Sequence, residues 1–118
     1  MKEVIAIIRR HKIQETKAGL LGIGVPALTM ISVEGRGKQR GLIEPDDEMN
    51  EVKTENRLQF IPKRMIYTVV EDDDVPKVVE TIIRTNHTGQ IGDGKVFVCP
   101  VEDAMRVRTG EIGEQAIK

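Results

Sequence analysis

The chain has 118 residues, with 18 Lys plus Arg against 19 Asp plus Glu, and a formal net charge of −1. This length suits one domain over residues 1–118 and excludes most two-domain enzymes. The balanced charge argues against a protein that coats nucleic acid or an acidic membrane surface. Aromatic residues make up 3% of the chain, too few to stack on bases, so we expect no nucleic-acid partner.

The N-terminal sequence and the single cysteine exclude further classes. The apolar run at residues 4–8 is too short for a membrane span or for the apolar region of a signal peptide. Cys99 has no partner for an internal disulfide, and its apolar surroundings predict a small core residue. We therefore expect a soluble, cytoplasmic protein without membrane insertion.

The first half of the chain predicts a strand, a helix and a strand. Residues 4–8 form a continuous run rich in β-branched side chains, which indicates a buried strand. Apolar residues at helical offsets indicate a helix over residues 12–24, with Gly22 and Gly24 as its stop signals. A second strand is predicted over residues 28–33.

The second half predicts the same order of elements. Residues 65–70 indicate a strand, and Asp72–Asp74 offer N-caps for a helix that has Pro76 in its first turn. Residues 96–99 indicate a fourth strand. Two such halves predict an α+β, ferredoxin-like split βαβ fold (βαββαβ), with both helices on one face of four antiparallel strands.

This layout leaves one face of the sheet without a cover. Helices cover only one face, yet the first, third and fourth predicted strands are apolar on both sides. Oligomerisation through the sheet is the simplest way to bury the second face.

A long segment separates the two halves and shows no helical or strand period. It runs over residues 38–60, between the second and third strands, and residues 42–60 carry six acidic against two basic side chains. Its root alternates glycine with basic residues over 35–41. Long structureless insertions in compact domains are uncommon and usually functional, so we prefer a mobile arm that contacts a partner over a passive solvated loop.

A glycine-rich stretch before the fourth strand fits part of a phosphate-binding motif. Residues 89–95 read G-x-x-x-x-G-K, but Val96 stands where a P-loop needs Ser or Thr, and the stretch runs from helix into strand. A conventional nucleotide hydrolase is therefore not expected. Backbone N–H groups of glycines and the charge of Lys95 still favour anion binding, and a plain turn with a solvated lysine is the alternative.

Two arginines follow the fourth strand. In extended backbone, Arg106 and Arg108 would point to the same side and could bind polyphosphate bidentately. Two surface arginines with acidic neighbours are the alternative, which the spacing alone favours. These residues lie in a C-terminal segment over about 102–118.

Four ordered motifs resemble those of the PII nitrogen-regulatory signal transducers. Residues 88–98, Thr-Gly-Gln-Ile-Gly-Asp-Gly-Lys-Val-Phe-Val, are similar to the second signature of that family. Residues 35–41, 60–63 and 106–111 resemble three further motifs, and the similarity runs from Met1 to about Glu111. The resemblance implies a trimer with ATP or ADP competing for clefts between subunits. It also implies that 2-oxoglutarate binds beside Mg-ATP and reshapes the long arm.

The same resemblance implies roles for individual residues. One subunit would hold the nucleotide through Gly35, Lys38, Gln39, Thr88, Gly89, Gly92, Asp93, Gly94 and Lys95, and its neighbour through Thr29, Arg106 and Arg108. Gln39 would coordinate Mg²⁺, and 2-oxoglutarate would be held by Gln39, Lys63 and Gly92.

Some positions depart from the common bacterial pattern. The arm contains no tyrosine, and Asn56 stands where many members carry a modified one, so no such modification is expected. Lys38 replaces a common arginine, Gln90 a common lysine and Tyr67 a common acid.

The lengthened, tyrosine-free arm is similar to that of the branch encoded beside nitrogenase genes. That likeness implies a non-enzymatic regulator of dinitrogenase, as a homotrimer or as a mixed oligomer with a related subunit. An ammonium transporter or glutamine synthetase is an alternative target, and a slow ATPase is an alternative activity.

Overall fold

Within the part of the chain that the structure describes, four antiparallel strands form a sheet that is covered by two α-helices. The structure, a computed structural model, describes residues 1–37 and 60–118. The strands are β1 (Lys2–Arg9), β2 (Thr29–Gly35), β3 (Ile61–Val70) and β4 (Lys95–Pro100), and the helices are α1 (Ile13–Gly22) and α2 (Val75–Asn86). The strand order is β2-β3-β1-β4. The predicted ferredoxin-like α+β fold is confirmed, whereas residues 38–59, with Lys38, Gln39 and Asn56, lie outside the described residues.

The core lies between the sheet and the two helices. Val4, Ala6 and Ile8 alternate along β1 and are fully buried against Ile66 of β3 and the apolar residues of α1 and α2. Side chains alternate between the faces of a strand, so this register places Ile5 on the opposite face. The central position of β1, which pairs with both β3 and β4, fixes that alternation for its neighbours.

The helices are joined by close packing and a buried hydrogen bond. A Cβ on Gly19 of α1 would lie 3.1 Å from the methyl group of Thr81 in α2. The side-chain amide of Asn86 donates to the hydroxyl of Thr16 over 3.0 Å. The predicted end of α1 is two residues too long, because the Gly24 N–H already bonds the carbonyl of Leu21 in a turn that closes the helix.

The start of α2 differs from its prediction in one respect. Pro76 lies in the first turn, as predicted, but Asp72–Asp74 form a 3-10 turn and make no side-chain cap. The residue at the N-cap, Asp74, already has helical angles (φ −86°, ψ −15°), whereas a capping side chain requires extended backbone. Asp72 instead lies 3.0 Å from the amino group of Met1, an ion pair that lowers the pKa of its carboxyl.

The second face of the sheet, opposite the helices, is the open face. It carries the half-buried Ile5, Ile7, Met65 and Tyr67 and the exposed ring of Phe97, which is 46% accessible. The predicted core position of Cys99 is wrong, because its pairing with Glu3 places it half-buried on this face of an edge strand. None of the helices that the structure describes is long and apolar enough to cross a bilayer.

Candidate functional site

The glycine-rich stretch Thr88–Lys95, here called the glycine loop, connects α2 to β4 and includes Lys95, the first residue of β4. Its last turn lies directly on β1: Gly94 has φ +107°, and a Cβ there would lie 1.9 Å from the carbonyl oxygen of Ile7. Only glycine tolerates both that angle and that contact. The loop is therefore fixed at the C-terminal end of β1, beside Arg9.

The carboxylate of Asp93 organises the glycine loop from within. One oxygen accepts the backbone N–H groups of Thr88 (2.8 Å) and Gly89 (2.9 Å). The other oxygen accepts hydrogen bonds from the hydroxyl of Thr88 and the guanidinium of Arg9, each with a length of 2.5 Å. These hydrogen bonds, that of the Thr88 hydroxyl foremost, hold the pKa of Asp93 far below its usual value. The carboxylate therefore stays ionised and acts as the hydrogen-bond acceptor that orders the loop.

Two cations bind carbonyl groups of the same loop. Arg9 donates to the carbonyl of Ile91 over 3.1 Å, and the Lys63 ammonium donates to that of Gly92 over 2.7 Å. In a trans peptide the C=O and the next N–H point in opposite directions. The N–H groups of Gly92 and Asp93 therefore face away from the cations, which makes them candidate donors to an anion on the other side of the loop.

Lys63 is a buried cation next to another cation. Its residue is 7% exposed, and its β-sheet pairing partner is Arg9. Burial first and the charge of Arg9 second lower the pKa of Lys63, against a smaller opposing effect of Asp93. With Ile91, Gly92 and Pro62, the two cations line a cavity of about 430 Å³. Because the Arg9 guanidinium is already paired with Asp93, an anion placed there would gain chiefly from the charge of Lys63.

The predicted extended geometry of Arg106 and Arg108 is wrong. Residues 107–109 form a turn, in which the Gly110 N–H bonds the carbonyl of Arg106 over 2.7 Å. Gly110 has φ +76° and lets the chain reverse, so that Met105 and Ile112 form a bridge across the turn. The exposed Arg108 therefore lies on a turn and not on a strand.

The guanidinium of Arg106 is held by its own C-terminal segment. One nitrogen lies 2.6 Å from a carboxylate oxygen of Glu111, and the other donates to the carbonyls of Gln115 (3.1 Å) and Lys118 (2.5 Å). Arg106 and Thr29 both line a cavity of about 490 Å³ beside Tyr67. No motif or spacing predicted that residues 113–118 would contact Arg106.

Those predicted site residues that the structure describes fall into two groups on the chain. Thr88, Gly89, Gly92, Asp93, Gly94, Lys95 and Lys63 lie at the Arg9 end of the sheet, whereas Thr29, Arg106 and Arg108 lie at the other end. Tyr67, which pairs with Thr29, is four residues from Lys63 along β3, or about 13 Å. Gly35 ends β2 opposite Ile61, nearer to the glycine loop.

Arg9 is the residue that sequence reasoning missed. It closes β1 as an ordinary basic residue after an apolar run, and its carboxylate partner is 84 positions away. No local pattern could connect the two. Only the register of β1 against β3 and β4 brings Arg9 to the glycine loop.

Comparison with known sequences gives consistent relatives. The family model described as nitrogen regulatory protein P-II matches residues 1–111. The chain is 51% identical over 123 residues to the "nitrogen fixation nifHD region GlnB-like protein 2" of Methanothermobacter marburgensis, covering 99% of this chain and 100% of the relative. It is 44% identical to the "nifHD1 region GlnB-like protein 2" of Methanosarcina barkeri, with both chains covered completely.

A solved structure supports the same assignment. The crystal structure of Arabidopsis thaliana PII bound to citrate aligns with a TM-score of 0.77 and 39% identity, over 99% of this chain and 89% of that one. The nifHD-region relatives match the nitrogenase-associated branch that the arm predicted. The chain therefore belongs to the P-II family of nitrogen regulatory signal proteins.

Proposed function

We propose that the protein is a sensor that binds ATP or ADP in competition, binds 2-oxoglutarate beside Mg-ATP, and passes that state to a target protein. The observation that carries the proposal is the glycine loop. Arg9 and Lys63 bind the carbonyl oxygens of two successive peptide groups in this loop. The N–H groups of the same peptides, at Gly92 and Asp93, therefore point away from the cations and can donate to an anion.

The donor set suits the phosphates of a nucleotide. Outward amides supply directional donors, and the exposed Lys95 supplies a compact positive charge at the end of the loop. The loop also departs from a hydrolytic P-loop, because it runs from α2 into β4 and is followed by Val96. These features favour binding without hydrolysis.

The second group of site residues favours a cleft shared by two subunits. Thr29 and Arg106 lie at the far end of the sheet from the glycine loop, so a nucleotide that contacts both groups is best placed between two copies. The open face, with the exposed Phe97, gives the copies an apolar surface to bury. We propose a trimer, either of identical chains or mixed with a related subunit.

The buried cation Lys63 suits a small dicarboxylate. We propose that it pairs with a carboxylate of 2-oxoglutarate next to Gly92, since the anion would neutralise the repulsion between Lys63 and Arg9. Gln39, proposed to coordinate the Mg²⁺ of Mg-ATP and contact 2-oxoglutarate, and Lys38 lie outside the described residues.

The target is proposed from the names of the relatives. Several are designated as nifHD-region proteins of nitrogen fixation, which favours dinitrogenase as the partner of the acidic arm over residues 38–60. The effectors can change target affinity only by their different affinities for two states of the protein, typically about 1–3 kcal/mol of coupling.

The shared cleft is tested by mixing two defective variants. Lys95→Met removes a donor of the glycine loop, and Arg106→Met removes a donor of the other group. We expect each variant alone to bind ATP weakly in calorimetry. Because one pairing in four combines an intact loop with an intact Arg106, co-expressed variants should recover roughly a quarter of the wild-type sites.

Two results would contradict parts of the proposal. Mixed oligomers that recover no high-affinity sites would show that each site belongs to a single subunit. Wild-type protein that binds no adenine nucleotide at millimolar concentration would remove the sensor function itself. Capture of dinitrogenase on the immobilised protein, released by ATP with 2-oxoglutarate, tests the target separately.

A further inference from the structure

Arg9 uses its guanidinium entirely within the chain. One terminal nitrogen contacts Asp93 at 2.5 Å and lies 3.5 Å from the hydroxyl of Thr88, and the other donates to the carbonyl of Ile91. Both terminal nitrogens therefore bind the glycine loop. The side chain of Arg9 is 22% exposed, as is that of Asp93, so this ion pair is half-buried.

These contacts control the direction of two sets of backbone groups. Asp93, held by Arg9, orders the amides of Thr88 and Gly89 at the start of the loop. The contact with Ile91 turns that carbonyl towards β1 and so turns the N–H of Gly92 away from it. A single arginine thus links both halves of the loop to the end of one strand.

We propose that Arg9 is a positioning residue, which fixes the glycine loop in its anion-binding conformation before an anion binds. This inference rests on the proposed nucleotide site, but it assigns to Arg9 an action through Asp93 and Ile91. Preorganised donors bind more tightly because the ligand does not have to order the loop.

The first test compares two arginines of the same region. Arg9→Met removes the guanidinium, and Arg84→Met removes the same charge from the exposed last turn of α2. We expect Arg9→Met to weaken ATP binding roughly tenfold in calorimetry, because it breaks charge-assisted hydrogen bonds to the loop. Arg84→Met should bind within about twofold of wild type.

A readout without ligand separates positioning from direct contact. In the ligand-free Arg9→Met protein, the amides of Thr88 and Gly89 should exchange hydrogen at least about fivefold faster, as measured by NMR. Amides in the middle of α2 should keep their wild-type rates and so show that the fold is intact. Unchanged exchange at Thr88 and Gly89 would overturn the proposal, whatever happens to ATP affinity.

A double-mutant cycle tests the route through Asp93. If Arg9 acts through that carboxylate, the effects of Arg9→Met and Asp93→Asn on ATP affinity will be far from additive. Additive effects would contradict this route. Arg9→Lys should restore binding only in part, since one ammonium cannot replace the two-nitrogen fork that spans Asp93 and Ile91; full restoration would mean that charge alone matters.

The test distinguishes failure of this inference from failure of the proposed function. If wild-type protein binds no ATP, the proposed function fails, and the amide exchange of the Arg9→Met protein still decides the role of Arg9 in ordering the loop. If wild type binds ATP and Arg9→Met binds it equally well, only the positioning role is overturned.

Discussion

The two ends of the sheet use arginine in opposite ways. At the glycine loop, Arg9 and Lys63 bind carbonyls and a carboxylate, and this leaves backbone N–H groups directed outward. At the other end, Arg106 is itself the predicted donor, and Glu111 and two C-terminal carbonyls already accept its hydrogen bonds. The first end is ready for an anion, whereas the second must exchange partners to bind one.

This contrast separates preorganisation from competition. Ordering a flexible loop when a ligand binds costs conformational entropy. The glycine loop is already ordered in the folded protein, so an anion that binds there does not bear this cost. An anion that reaches Arg106 must replace hydrogen bonds that are already made, so its net gain there is smaller. We therefore expect substitutions that disturb the glycine loop to weaken nucleotide binding. Substitutions that free Arg106 from its partners in the C-terminal segment should strengthen it.

The largest effect is expected from Gly94→Ala. The new Cβ would clash with the carbonyl of Ile7 and would also have to adopt φ +107°, so the free energy of unfolding in urea should fall by about 3 kcal/mol or more. Gly89→Ala is the matched control, because Gly89 also has a positive φ but open space at its Cβ position. It should cost about 1–2 kcal/mol, and equal losses would mean that the contact with β1 is unimportant.

A smaller effect is expected from removal of the buried cation. Lys63→Met should weaken 2-oxoglutarate binding at least roughly tenfold in calorimetry with Mg-ATP present, because it removes a charge-assisted contact. Lys17→Met, on the exposed surface of α1, removes the same charge and should leave this affinity unchanged. Similar losses in both variants would show that only the overall charge matters.

At the other end of the sheet we expect a gain. Glu111→Gln weakens the hold on Arg106, and ATP should bind up to about fivefold more tightly, the range of a partly exposed ion pair. Glu114→Gln, an exposed change in the same C-terminal segment, should have no effect. Weaker ATP binding in Glu111→Gln would contradict the competition and would show that Glu111 orients Arg106 for the ligand.

The smallest effect is a change in acid sensitivity. The folded-state pKa of Asp93 is lowered, so its carboxylate stabilises the fold above the unfolded pKa of about 4, and this contribution is lost as pH falls towards the folded value. Asp93→Asn should be less stable than wild type at neutral pH, with a difference that narrows below about pH 4. Urea unfolding of both proteins across that pH range measures this difference in stability. A difference that does not change with pH would contradict a stabilising role of the ionised Asp93 carboxylate.

Periodic patterns predicted the framework because they are local. The apolar spacing of α2, at residues 75, 78, 79, 82 and 83, and the β-branched runs of β1 and β3 each predicted the right type of element, although β3 begins at Ile61 and not at the predicted residue 65. The pattern failed for Cys99, since a run that is apolar on both faces does not tell which face meets the helices. It also failed at Arg106, where a turn at Gly110 replaced the extended backbone.

The site could be predicted only as far as its motifs. The glycine loop and Lys63 are visible as motifs, but their arrangement depends on Arg9, whose link to Asp93 spans 84 positions. The contacts of Arg106 with Gln115 and Lys118 are through backbone carbonyls, which carry no side-chain signal. The contact between Arg9 and Asp93 depends on the strand register, and the contacts of Arg106 depend on the reversal of the chain. Neither can be predicted from residue identity.

Titration calorimetry of 2-oxoglutarate, with and without Mg-ATP, tests the proposed coupling most directly. We expect 2-oxoglutarate to bind at least roughly fivefold more tightly when Mg-ATP is present, and ATP affinity to rise by the same factor in the reciprocal titration. Equal affinities of 2-oxoglutarate in both titrations would contradict a sensor in which the two ligands share the glycine loop.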